Sequence, residues 1–196
     1  MENLILIFAR PPQLGKVKTR LAATLGEEKA LRIYNFLLEK TLTEAQKVKE
    51  ADKAVFSPEE SDFSAKYGFL FQLQSGQDLG EKMQNAFLWA FAQGYKRVII
   101  IGSDCYDLDE NGLNSAFQLL EKAEVVVGKA TDGGYYLLGM KQLYKNLFSD
   151  KRWSTDSVFS DTIADLQRLG LHYELLPPLS DVDVESDLGD WAQNLV

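Results

Sequence analysis

One cysteine and one histidine in 196 residues remove several chemistries at the outset. Cys105 alone cannot form an internal disulfide, and a single thiol suits a reducing compartment. His172 opens a short strand-like stretch, and a Ser-His-Asp triad built on it lacks an arranged nucleophile. No run of about 18 apolar residues and no charged-then-apolar leader occurs, so no membrane insertion is expected and the cytoplasm is the expected location. No Pro-, Gly- or Ser-rich linker divides the chain and no repeat is visible, so residues 1–196 are read as one domain. The formal net charge of −8 argues against general binding to nucleic acid or to an anionic membrane. Two phosphate-binding patterns, G-x-x-x-x-G-K-[ST] and G-x-G-x-x-G, are also missing.

One absence is local. No Asp or Glu occurs between Glu2 and Glu27, yet this stretch carries Arg10, Lys16, Lys18 and Arg20. It follows Leu4 to Phe8, a continuous apolar run that reads as a strand covered on both faces, ended by Pro11 and Pro12. Cations after the first strand of an α/β unit, with Gly15 allowing a tight turn, are well placed for a phosphate. A solvated, flexible loop would have the same composition, although solvated lysines usually alternate with acids.

The second informative stretch is Arg97 to Leu108, RVIIIGSDCYDL. Val98 to Ile101 is too short and too uniformly apolar for a buried helix, and reads as a central strand of a parallel sheet. Asp104 and Asp107 follow at its carboxyl end, where open α/β sheets place their ligand crevice. Two carboxylates there suggest a hard divalent cation. Alternatively, Asp107 or Asp109 caps the next helix and Asp104 bonds a turn amide.

Between and beyond these stretches the pattern alternates. Thr24 and Glu27 have capping-box spacing ahead of a helical period running to about Glu50. Lys53 to Phe56 and Phe69 to Leu73 read as strands. Asp78 and Glu81 open a helix ending at Gly94, Leu113 to Lys122 is another, and Val125 to Gly128 is a strand. Gly133 and Gly134, beside Asp132, suit either a hairpin turn or close approach of a substrate to the backbone. A helix from about Asp156 to Leu169, capped by Ser154 or Thr155, precedes a last strand at His172 to Leu176. The acidic tail, Asp181, Asp183, Glu185, Asp187 and Asp190, is expected around the start of a final helix, whose dipole favours negative charge.

The segments FARPPQLGKVKTRL, QSGQDLGEKMQNAF, IIIGSDCYDL, DGGYYLLGM, WSTDSV and DVDVESDL, in this order, resemble the bacterial nucleotide-diphospho-sugar transferase-like family labelled glycosyltransferase or radical-SAM/selenodomain-associated transferase 1. A more distant resemblance is to guanylyltransferases that make molybdenum cofactor dinucleotides and phospholactate-linked guanosine. The resemblance implies a three-layer α/β fold of the GT-A type with a mostly parallel central sheet. It implies phosphate contacts from Arg10, Lys18 and Arg20, and places Gln74, Gly76 and Asp78 near the base or ribose. It implies metal ligation by Asp104 and, from the related D-[IV]-D-T-P-E-D-L signature, by Asp183. Two positions depart: Tyr106 stands where relatives usually have proline, and Val184-Glu185-Ser186 replaces Thr-Pro-Glu.

Residues and resemblance agree on a site for phosphate and Mg²⁺ or Mn²⁺. The expected activity is a metal-dependent transferase using a nucleotide-activated donor. Glycosyl transfer from a nucleotide-sugar comes first, with Asp132 as the candidate base for the acceptor hydroxyl. Nucleotidyl transfer from a triphosphate to a phosphate acceptor, leaning on Lys18, is the alternative. A module that binds nucleotide without turnover is the third reading.

Overall fold

A computed structural model describes residues 1–195. Its elements run β1 (Asn3–Phe8), α1 (Thr19–Leu25), α2 (Glu27–Lys47), β2 (Ala51–Ser57), β3 (Leu70–Leu73), α3 (Leu79–Ala92), β4 (Arg97–Ile101), α4 (Glu110–Lys122), β5 (Val125–Ala130), β6 (Tyr135–Met140), α5 (Val158–Arg168) and β7 (Tyr173–Leu179). The seven strands form one sheet in the order β3-β2-β1-β4-β6-β5-β7. All run in one direction except β6, which is antiparallel to both of its neighbours.

The two apolar runs account for the centre. In β1, Ile5 and Ile7 face one layer and Leu4 and Leu6 the other, and all four are fully buried. In β4, Ile99 and Ile101 join the first layer and Val98 and Ile100 the second. Successive strand side chains point to opposite faces, so a sheet covered on both sides needs apolar residues at every position. Leu38, Leu42, Leu113 and Phe117 of α2 and α4 cover one face, while Met83, Phe87 and Leu166 of α3 and α5 cover the other. This three-layer arrangement is the expected one. Only the partner of β4 differs, because the Thr131–Gly134 turn folds β6 back as a hairpin between β4 and β5.

Four local expectations are corrected. Thr19 and Arg20, at the end of the loop expected over residues 10–20, already belong to helix α1. Thr24 does not cap α2; its hydroxyl donates to the carbonyl of Leu21, and Gly26 at φ +88° makes the corner between α1 and α2. Neither Ser154 nor Thr155 caps α5, since Ser154 takes a left-handed φ of +62° and the Thr155 hydroxyl turns back to the Arg152 carbonyl. The acidic tail makes two single 3₁₀ turns, Glu185–Asp187 and Asp190–Ala192, instead of a helix. By contrast, Asp78 caps α3 as expected: its Oδ1 accepts from the Glu81 amide, while Glu81 Oε2 turns back to accept from the Gln77 amide.

Chain direction in the sheet reverses its progress between β1 and β4. From β1 the chain moves outward through β2 to β3, then returns to add β4 on the other side of β1. Such a switch leaves a crevice beyond the carboxyl ends of the two strands. The loops that follow β1 and β4 therefore face one another.

Candidate active site

A cleft of about 990 Å³ lies at this edge of the sheet. The β1 loop and start of α1 supply Arg10, Lys16, Lys18 and Arg20, and the turn after β3 supplies Gln74, Gln77 and Asp78. Ser103 and Asp104 come from the end of β4, Asp132 and Gly134 from the hairpin, Trp153 to Asp156 from the segment before α5, and Asp181 and Asp183 from the tail. Residues far apart in the chain thus meet because six strands end on one side.

At the centre is Lys18, whose side chain is only 4% exposed. Its backbone is left-handed at φ +46°, a conformation uncommon for a non-glycine residue, and it ends the loop at the start of α1. Its Nζ lies 2.7 Å from Asp104 Oδ1, 3.4 Å from Asp183 Oδ1 and 2.6 Å from the Val182 carbonyl oxygen. The three ammonium donors are thereby matched to three oxygens. The guanidinium of Arg20 reaches the other side of the Asp183 carboxylate at 3.5 Å.

The tail delivers its acids by strand logic. Asp181 pairs with Cys105 in an isolated antiparallel bridge, and the Val182 amide donates to the Asp104 carbonyl at 2.9 Å. In extended backbone alternate side chains share a side. Val182 is consequently buried against Leu21, Ile33 and Leu37, while Asp181 and Asp183 both enter the cleft wall. The Asp187 carboxylate accepts from the amides of Asp183 and Val184 and holds the turn.

Sequence reasoning did not single out Asp181. Burial, reinforced by the nearby charges of Asp104, Asp132 and Asp183 and opposed by Lys18, pushes its carboxyl up to about 7. Desolvation and like charge both disfavour the ionised form, and such groups concentrate at functional sites. The Asp-Val-Asp alternation was the available signal.

The other predicted residues are placed as follows. Asp107 is exposed and outside the cleft wall, and the α4 cap is Asp109, which accepts from the Gly112 amide. Arg10 lines the cleft, its backbone amide and carbonyl both bound by the buried Tyr34 hydroxyl. Gln74 lines the cleft but gives its amide nitrogen to the Phe56 carbonyl at 3.1 Å. Gly76 is beside the wall, not in it; at φ +133°, a Cβ there would sit 2.8 Å from the Lys82 amide nitrogen. Asp132 is exposed and its Oδ1 accepts from the Gly134 amide at 2.9 Å. Cys105 is buried and its thiol is pushed up to about 12 by that burial, so it is no nucleophile.

Asp104 and Asp183 both converge on one cation, the Lys18 ammonium, together with a backbone carbonyl oxygen. These are hard oxygen donors of the kind Mg²⁺ and Mn²⁺ accept. Among the described residues no cluster of three or more Asp, Glu, His or Cys side chains is placed to hold an ion. Two protein carboxylates, completed by phosphate oxygens and water, fit Mg²⁺ as it is usually bound beside nucleotides.

Among solved structures, a protein from Desulfovibrio desulfuricans G20, provisionally described as a nucleotide-diphospho-sugar transferase, is 33% identical with a TM-score of 0.87, covering 93% of this chain and 83% of its own. A cytidylyltransferase from Leptospira borgpetersenii is 19% identical with a TM-score of 0.61, over 95% of this chain and 83% of its own. The 4-diphosphocytidyl-2C-methyl-D-erythritol synthase of Anaerococcus prevotii is 14% identical with a TM-score of 0.62, over 94% and 92%. Comparison with curated proteins gives no match. The model of one family, described as uncharacterized protein conserved in bacteria (DUF2064), matches residues 41–155, and with the Desulfovibrio likeness this shows that the chain belongs to that family.

Proposed function

We propose that this protein is a metal-dependent transferase that uses a nucleotide-activated donor, with glycosyl transfer from a nucleotide-sugar as its reaction. One observation carries the reading: the cationic β1 loop and the carboxylates Asp104 and Asp183 meet at a single point, Lys18, in the crevice beyond the carboxyl ends of β1 and β4. Arg10, Lys16 and Arg20 line the cleft around it and suit the phosphates of the donor. Mg²⁺ or Mn²⁺ held by Asp104 and Asp183 would supply positive charge to the departing phosphate oxygens. In the transfer, the bond from the anomeric carbon to the phosphate oxygen breaks and a bond to the acceptor oxygen forms. The nucleoside diphosphate leaves, and the acceptor proton passes to a base, for which the exposed carboxylate of Asp132 is our candidate.

Nucleotidyl transfer is the second reading, and the likeness of the fold to cytidylyltransferases supports considering it. A triphosphate needs more positive charge than a diphosphate. Of the four cations counted in the sequence, however, Lys18 is bound by Asp104 and Asp183, and Arg20 is 3.5 Å from Asp183. That weakens the electrostatic case for a triphosphate.

The test is a thermal-shift screen of nucleoside triphosphates and nucleotide-sugars with Mg²⁺ or Mn²⁺, followed by product analysis with an acceptor. A ligand at a hundred times its Kd stabilises by about 2.7 kcal/mol, which is easily read. Acceptor-dependent release of nucleoside diphosphate supports glycosyl transfer. Acceptor-dependent pyrophosphate release would move the assignment to nucleotidyl transfer, and binding with no turnover would leave a nucleotide-sensing module.

A further inference from the structure

Part of the cleft floor is apolar. Phe8, Met83, Ile100 and Trp153 line the cleft and belong to one packed cluster on the α3 and α5 side of the sheet. Two glycines set the shape of the wall around them. At Gly80, in the first turn of α3, a Cβ would overlap the indole of Trp153, so the ring packs directly on the helix. At Gly133, with φ +97°, a Cβ would overlap the backbone of Asp156. Both contacts fix residues 153–156 as part of the wall.

Tyr135 packs on the same cluster and lines the same cleft. Ile101, at the end of β4, stands opposite Leu137 of the antiparallel β6, so Tyr135, two residues earlier, lies just past the carboxyl end of β4, beside the turn that carries Asp104. Its hydroxyl has no strong partner: among the described residues it reaches only the Met83 thioether, at 3.6 Å. A thioether is a weak acceptor, and a buried phenol usually finds a better one. Other polar groups of the cleft are matched: Gln74 donates to the Phe56 carbonyl, Asp132 accepts from the Gly134 amide, and the Tyr34 hydroxyl donates to the Arg10 carbonyl. Burial raises the Tyr135 hydroxyl above the ordinary tyrosine range, so it keeps its proton and remains a donor. Held on an apolar floor without an acceptor, that donor costs stability in the free protein, and an oxygen atom of a ligand would relieve the cost.

Resting on the nucleotide-transferase reading above, we infer that Tyr135 determines specificity: its hydroxyl donates to an uncharged oxygen of a sugar whose C–H face lies on the surface made by Phe8, Met83 and Trp153. In the sheet, β6 lies beyond β4, on the side away from β2 and β3. Phosphates held around Lys18, with the nucleoside toward Gln74 and Asp78, leave this side for the group that is not the nucleoside. A pyranose suits it, because an apolar surface takes the C–H face while one placed donor fixes the orientation of a hydroxyl oxygen. The sugar is either the transferred group of the donor or the free acceptor, and both share this chemistry.

Tyr135→Phe removes one oxygen and keeps the ring. In urea without ligand, its unfolding midpoint should equal or exceed that of the parent, because no strong hydrogen bond is lost. Calorimetry with Mg²⁺ then separates the two sources of the sugar. In the donor arm, UDP and GDP should bind both proteins alike, whereas the affinity of UDP-glucose relative to UDP, or of GDP-mannose relative to GDP, falls about tenfold in the variant. In the acceptor arm, protein saturated with UDP or GDP is titrated with glucose, and a loss of about tenfold there instead assigns the floor to the acceptor. A variant that loses stability without ligand overturns the inference, since the hydroxyl then serves the fold. Unchanged sugar affinity in both arms, or no sugar binding by the parent in either, overturns it as well. So does a loss shared equally by UDP and GDP. If the parent binds no nucleotide and no nucleotide-sugar, the underlying reading falls, and the inference falls with it.

Discussion

The rings of Tyr106 and Trp191 stack with centroids 4.5 Å apart and 11° between their planes. Phe36 of α2 extends the stack, 5.3 Å from Trp191 and at 8° to it. Tyr106 lies two residues after Asp104, and Trp191 is on Asp190–Ala192, the second of the two 3₁₀ turns after Asp183. The stack therefore ties together the two loops that hold the converging carboxylates. It also gives Tyr106 a physical role: the turn after Asp104 is held by a ring against a ring.

Replacing Trp191 by Ala should cost about 2 kcal/mol of stability, from lost apolar burial and lost stacking on two neighbours. Trp191→Phe should recover more than half. Urea unfolding measures both, and Mn²⁺ affinity measured alongside should fall for Ala, because Asp183 is no longer held beside Asp104. An alanine variant with full Mn²⁺ affinity would confine the stack to a stabilising role.

Asp181 predicts a pH dependence in the metal-free protein. Its carboxyl is raised to about 7 in the folded state, by burial first and then by Asp104 and Asp132, whereas an unfolded Asp titrates near about 3.9. Between those values the folded chain keeps a proton that the unfolded chain has released. Stability should consequently fall as pH rises from about 4 to about 7 and contribute no further slope above that range. Asp181→Asn should remove this slope and stabilise the protein at pH 8 by about 1–3 kcal/mol. Denaturant midpoints of the two proteins, taken in EDTA from pH 5 to 8, should converge at the acid end. Parallel curves would show that Asp181 ionises freely.

Two glycines of the wall should respond unequally to alanine. At Gly80 the new methyl meets the Trp153 side chain, which can swing away. The expected cost is about 1–3 kcal/mol, with greater quenching of tryptophan by iodide. At Gly133 the methyl meets the Asp156 backbone and the φ of +97° is itself unfavourable, so the loss should be larger. Unfolding midpoints rank the two variants, and a Gly133→Ala as stable as Gly80→Ala would mean that residues 153–156 are not held as described.

How much of this was legible in the sequence depended on how local the determinants are. Leu4 to Phe8 and Val98 to Ile101 announced the centre of the sheet, since a strand buried on both faces must be apolar throughout. The Asp78 cap was equally legible because both partners lie within one helical turn. A hairpin turn at Gly133 and Gly134 is one of the two readings the local pattern allows, but the place of β6 between β4 and β5 is a matter of pairing that no local pattern encodes. Lys18 was recognised as part of a positive loop. Its burial between Asp104 and Asp183 was not, since the second contact spans 165 residues. The tail misled for a physical reason: acids near a helix start are ordinary, so the extended stretch Asp181 to Asp183 was indistinguishable from helix-capping charge.

Lys18 supplies the sharpest test of the centre, because a fixed ammonium and a divalent cation draw on the same two carboxylates. Lys18→Met keeps most of the buried stem and removes the charge. Without nucleotide, Asp104 and Asp183 then have no ammonium to neutralise them, and Mn²⁺ should bind about tenfold more tightly, as read by electron paramagnetic resonance; tenfold corresponds to about 1.4 kcal/mol. Nucleotide affinity in EDTA should move the opposite way, falling severalfold, because the two carboxylates left without an ammonium repel the phosphates. A nucleoside lacking phosphate should be little affected. The opposed signs matter, since a variant that had merely loosened the fold would lose both ligands together. If Mn²⁺ and nucleotide weaken in parallel while the protein stays folded, Lys18 organises the carboxylates instead of competing for them, and the metal assignment for Asp104 and Asp183 loses its support.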